Sequence, residues 1–209
     1  MQFNINLILN ELPSYMNQIL HFNIKENGLL SSIPFFVSYF VAVVSAYVAD
    51  KWKKSERFSA LTIRRMCTSI SFCIPIIFYL IQIVWGNSKN VSVIVFTLSL
   101  GFTSVATAGF LSNSIDISPT YSGTILGLGV TGGAATGYIS AKIVAFITDK
   151  NATFEQWRYI FWLLIGINLV GSIIYCIFSS VSIQKWNLRN NIEEPKNKKV
   201  SSEIINRKS

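Results

Sequence analysis

The fold class this sequence predicts is all-α, a multi-pass helical bundle in a membrane. Three observations predict it. Charged residues make up 13% of the 209-residue chain and hydrophobic ones 51%, whereas a soluble domain carries about 25% charged. The apolar residues fall in long blocks, and roughly 20 consecutive apolar residues cross a bilayer as a helix. The basic residues collect between and after those blocks instead of spreading over a surface. A soluble α/β domain is excluded on the first two counts.

Taken in order, the blocks are about 1–20, 29–49, 66–85, 91–112, 122–147 and 159–181, which gives six spans. The first is the weakest, because it holds Asn4, Asn6, Asn10 and Glu11. It has no basic n-region or cleavage site, so it reads as a span and not a secretory signal. Pro13 should end or kink it, and Pro34 and Pro75 mark bends in the second and third blocks. In the fifth block, Gly127, Gly129 and Gly132 spell a literal G-x-G-x-x-G. That motif binds dinucleotides only after a strand. Inside a span, Gly123, Gly127, Gly132, Gly133 and Gly137 read as small faces for close helix packing. Lys142 in the same block should snorkel to the interface. Trp52, Trp85, Trp157 and Trp186 sit near block ends, as in an interfacial belt.

Charge orders the loops. The 50–65 segment carries Lys51, Lys53, Lys54, Arg57, Arg64 and Arg65, and the tail carries seven more of the 18 basic residues. With six spans both segments share a side, and the positive-inside rule makes that side cytoplasmic. The sequons at Asn90 and Asn151 then fall on the opposite side. Residues 1–186 are expected to form the bundle, and 187–209 a disordered cytoplasmic tail ending in a cytoplasmic C-terminus. A nucleic-acid partner is excluded, since the basic residues flank spans and belong to no soluble module.

No nucleophile–base pair, carboxylate dyad or metal cluster is present, so the chain does not read as an enzyme, and it calls for no cofactor. Cys67, Cys73 and Cys176 lack metal or disulfide spacing and read as buried, inert thiols, and His21 is the only histidine. Polar groups within a span are costly and tend to face a cavity or a partner. Asn6 and Asn10 lie four apart and share a helix face, with Glu11 beside them. The Glu11 carboxylate either takes up a proton or faces a cation, or it sits near the water interface held by backbone or solvent; on the first reading these three are the first substrate-cavity candidates. Ser99 and Thr103 in the fourth block, with Asn113 just past its end on the same span, are the second set. Between the fourth and fifth blocks, NSIDISPTYSG makes a tight turn in which Pro119 stops the helix. Asp116 there is placed to cap the next helix or to pair with the basic 50–65 loop.

That turn resembles the N-x-x-D-I-A-P-x-Y-A-G turn of the anion-transporter branch of the major facilitator superfamily, which includes sialin, vesicular glutamate transporters and sodium-dependent phosphate cotransporters. Asn113, Asp116, Ile117, Pro119, Tyr121 and Gly123 match, with Ser118 in place of Ala. Glu11–Phe35, the SAYVADKW segment with Ser45 in place of Gly, EQWRYIFWLLIGINLVGSIIYCIFSS and IQKW are similar to further segments of that branch. Within it the chain most resembles inorganic phosphate cotransporters of invertebrates.

The resemblance implies the second six-span half of a twelve-span symporter. The expected activity is alternating-access transport of inorganic phosphate or organic anions, coupled to sodium or protons. It also implies a plasma, vesicular or lysosomal membrane. The expected partners are the lipid bilayer, a small anion, and a missing N-terminal half or a second copy. Asp50 and Asp116 would act as cytoplasmic latch residues. The competing expectation is a truncated, non-transporting membrane subunit or gene-model fragment that needs a partner half. Ala141 and Lys142 stand where the branch often has proline followed by an apolar residue.

Overall fold

The computed structural model describes residues 1–148 and 153–183, and only the backbone of residues 24–27. All regular structure in it is helical: α1 (Gln2–Gln18), α2 (Ile24–Lys54), α3 (Ala60–Trp85), α4 (Lys89–Thr103), a 3-10 turn (Ser104–Thr107), α5 (Phe110–Ile117), α6 (Ser122–Thr148) and α7 (Phe154–Phe178). Five stretches are long and apolar enough to cross a membrane, with α4, the turn and α5 acting as one span over Lys89–Ile117. The remaining helix, α1, has 17 residues, about 25 Å at 1.5 Å per residue. The expected disordered tail lies outside the described residues.

Local chemistry sets several helix boundaries. Ser59 caps α3, its hydroxyl accepting from the Thr62 amide at 3.1 Å. Thr153 and Gln156 form a capping box at the start of α7. The last block was expected to run to about 181, but α7 stops at Phe178. Ser179 turns extended, and Arg65 donates to its hydroxyl at 2.8 Å and its carbonyl at 3.2 Å. The chain end of α7 is thereby tied to α3. Pro13 neither ends α1 nor separates it into pieces, since the helix continues to Gln18.

The fourth block was expected to be continuous and is broken. Hydroxyls in the break bond back to the chain: Thr103 to the Ser99 carbonyl at 2.8 Å, Ser104 to Leu100 at 3.1 Å and Ser112 to Thr107 at 2.6 Å. These bonds satisfy polar groups without water, which a lipid-embedded break requires. Gly109 then lets the chain press against α3. A Cβ there would collide with the Thr68 hydroxyl and lie 2.9 Å from its backbone nitrogen.

The core lies between α1, α3, α4 and α7. Tyr15 lies within it, edge-on to Phe96, Trp157 and Phe161 with centroids 5.4, 4.9 and 5.8 Å away. Trp157, expected in an interfacial belt, is fully buried in this cluster. The remaining belt candidates differ: Trp85 is exposed and Trp52 half-buried, while Trp186 lies outside the described residues. Helices α2 and α6 flank the core with most of their surface exposed.

Candidate functional site

Polar residues gather in three places, and the predicted site residues are divided among them. The first is the seam between α1 and α6. The Asn6 amide donates to the Gly133 carbonyl at 2.9 Å and to the Thr136 hydroxyl at 3.1 Å. Asn6 therefore fastens two helices, and a Cβ at Gly137 would lie 3.3 Å from its amide nitrogen. Gly133 similarly receives Gln2. Gly123, Gly127 and Gly132 were expected to pack too, yet each faces open space. Asn10 is exposed and Glu11 half-buried further along α1, and Glu11 forms no ion pair among the described residues. Lys142 is exposed, its ammonium 5.6 Å from the Tyr138 ring.

The second place is the bundle interior. Asn4 donates to the Asn168 carboxamide oxygen at 2.7 Å and accepts from the Tyr79 hydroxyl at 3.1 Å. Asn168 donates in turn to the Leu164 carbonyl at 2.7 Å. Nearer the α3–α4 connection, Gln82 donates to the Tyr15 and Ser92 hydroxyls at 3.0 and 2.9 Å. Both hydroxyls donate to the Gly86 carbonyl, at 2.7 and 2.6 Å. Sequence reasoning missed both networks. The signal was present: a lone Asn168 or Gln82 inside an apolar span must find a partner or a cavity. The second set of cavity candidates also points inward. Ser99 is buried and donates to the Phe96 carbonyl at 3.1 Å, Thr103 bonds within its own helix, and Asn113 is buried. The six candidates thus share no single cleft. A partly open cavity of about 190 Å³ lies instead between Gln2, Phe110, Ser114, Ile125 and Gly129.

The third place is the basic end. Asp116, at the end of α5, lies 2.7 Å from Arg64 Nε and 3.3 Å from Lys53 Nζ. Arg64 is only 11% exposed and Asp116 16%. Arg64 Nη1 also donates to the Ala108 carbonyl at 2.6 Å. One guanidinium thus grips both ends of α5, a geometry its planar fork permits and a lysine's point charge does not. Asp116 pairs with the basic segment and leaves the start of α6 to Ser118, whose hydroxyl accepts from the Tyr121 amide at 3.2 Å. Asp50 is exposed and joins no ion pair among the described residues. Cys67 is buried, but Cys73 is exposed and Cys176 half-buried, so the expectation of three buried thiols is corrected. Cys73 and Cys176 lie near Ser172 and Ser69 at 3.7 and 3.3 Å across the α3–α7 contact.

No protein-family model matches the chain. Individual proteins do. Human sialin is 32% identical over 181 residues, which are 87% of this chain and 36% of sialin. Human sodium-dependent phosphate transport protein 4 is 28% identical over 88% of this chain and 44% of its own length. Bovine vesicular glutamate transporter 2 is 28% identical over 86% of this chain and 31% of its own. The chain therefore spans about a third to two-fifths of the length of the curated relatives it matches.

Proposed function

Because this chain is a homologue of the anion transporters that its NSIDISPTYSG turn resembles, we propose that it forms one six-helix half of a secondary anion transporter. The similarity to sialin along 87% of the chain carries the reading. Inorganic phosphate or a small organic anion is the cargo, driven by a sodium or proton gradient, and the mechanism is alternating access. The half works in a longer twelve-span assembly, opposite a first six-span half or a second copy. That the chain spans only about a third to two-fifths of its relatives' length supports that need.

In this reading the Asp116–Arg64–Lys53 cluster is a cytoplasmic latch that helps hold one of two alternating states, and Asp50 contributes to the same face. Glu11 and Asn10 line the transport pathway on α1, and Asn6 sets its wall. Ser99, Thr103 and Asn113 support the pathway from the fourth span. The basic end faces the cytoplasm of a plasma, vesicular or lysosomal membrane.

The test is uptake of labelled phosphate, glutamate and sialic acid into proteoliposomes under sodium or proton gradients. The chain is reconstituted alone and together with the first half of a homologue. Gradient-driven uptake in either preparation supports the proposal and names the substrate class. Folded protein that transports none of the three in both preparations sinks it, and favours a non-transporting membrane subunit.

A further inference from the structure

We propose that the basic end of α2 carries a binding site for an anionic phospholipid, with the headgroup phosphate between Lys51 and Arg57. The inference is independent of what the bundle transports. It starts from the shape of the α2 terminus. The helix ends at Lys54, and Glu56 takes a positive φ of 54°, a conformation uncommon for a residue with a side chain. The chain reverses there and returns Arg57 and Phe58 toward the helix. Phe58 meets Trp52 with ring centroids 6.0 Å apart. The result is a partly open cavity of about 510 Å³ whose lining includes the largely apolar Tyr47, Val48, Trp52 and Phe58 and the cations Lys51 and Arg57.

Both cations are exposed, and neither joins an ion pair among the described residues. Asp50 and Glu56 are the acids of this segment, and they leave Lys51 and Arg57 unpaired. Lys53 is committed to Asp116. A cavity combining aromatic walls with uncommitted cations suits a molecule that is apolar at one end and anionic at the other.

The helix surface leading into the cavity identifies which molecule. Phe36, Phe40, Val43 and Tyr47 follow at spacings of four, three and four residues, so they share one face. They are 52–68% exposed. Lys51 comes next on the same line. From Phe36 to Tyr47 the lane is about 16 Å long at 1.5 Å per residue, close to half of a bilayer core of about 30 Å. An acyl chain lying on this lane brings its headgroup to Lys51 and Arg57. Free phosphate would use the cations but not the lane, so the lipid is the better fit. Basic residues beside a span attract anionic lipid by the same electrostatics.

The experiment is native mass spectrometry of the full chain in neutral detergent, with phosphatidylserine and phosphatidylcholine offered separately. Phosphatidylserine should be retained preferentially. K51Q/R57Q should weaken its retention about 30-fold, the loss expected when two headgroup cations are removed. K54Q should change retention by less than about threefold, because Lys54 lies outside the cavity. K51R/R57K, which keeps both charges, should bind like the parent and so separates charge loss from misfolding. Equal retention of the two lipids overturns the proposal. So does a K54Q loss as large as that of the double variant, or displacement of the lipid by millimolar inorganic phosphate.

Discussion

Arg64 Nε lies 2.7 Å from the Asp116 carboxylate, and the same side chain reaches the Ala108 carbonyl at 2.6 Å. These two bonds enclose α5, the eight-residue helix that follows the break in the fourth span. A partly buried charge left without its partner costs about 3 kcal/mol or more. D116N should therefore lower stability in detergent by an amount of that order, read by chemical denaturation. R64K should lose much of it too, because a single ammonium nitrogen lacks the separated Nε and Nη1 donors that reach the two acceptors. A double-mutant cycle with coupling below about 0.5 kcal/mol would show that the two residues act independently.

Asn4 occupies the centre of the interior network, donating to Asn168 and accepting from Tyr79. Removing it orphans two buried groups. N4A should cost about 2 kcal/mol, at the upper end for one buried side chain with unsatisfied partners. Y79F removes the hydroxyl's bond to Asn4 but leaves Asn168 satisfied, and should cost less, about 0.6 kcal/mol. Unfolding in mixed micelles ranks the two, and the reverse order would mean the network is not centred on Asn4.

Adjacent glycines give a sharper contrast. Gly133 packs against Gln2, whereas Gly132 faces open space. G133A should lower the unfolding midpoint, since the added methyl must displace Gln2 at its Cβ and Cγ. G132A should match the parent or exceed it, because alanine favours helix over glycine by about 1 kcal/mol. Equal effects at the two positions would place the α1–α6 seam elsewhere. G109A belongs with G133A, since Thr68 fills the space a methyl would take.

The helical bundle was legible because hydropathy and span length are properties of whole segments. The partner of Asp116 was legible for a different reason: an acid in an apolar setting needs a cation, and the 50–65 segment supplies six. The break after Thr103 was hidden, because its hydroxyls bond the backbone within the span and mean hydropathy does not register them. Asn4, Asn6 and Asn10 look alike in sequence. The helix face each occupies separates them into a core network, an interhelical fastener and an exposed amide. Trp157 shows the same limit, since nearness to a helix end did not reveal that Tyr15 packs over it.

Orientation is a separate prediction. If the basic end faces the cytoplasm, a cysteine introduced at Ser55 in a chain lacking Cys67, Cys73 and Cys176 is shielded in sealed cells. It should react with an impermeant maleimide only after permeabilisation. A cysteine at Ser88, at the opposite end of α3, should react without it. The inverted pattern would reverse the orientation and move the proposed latch to the outer face.

Glu11 offers the last test, because it separates a gradient-coupled pathway from a structural carboxylate. It lies half-buried on α1 and joins no ion pair among the described residues. In a membrane interior such a group is retained at a cost unless it exchanges a proton or meets a cation. E11Q keeps the shape and removes the charge. In the reconstituted transporter it should leave the unfolding midpoint within about 0.5 kcal/mol of the parent and abolish stimulation by a sodium or proton gradient. Exchange of anion between two loaded compartments should persist, since that step moves no net cation. If gradient stimulation survives E11Q, Glu11 is an interfacial acid and coupling resides in other groups of the assembly.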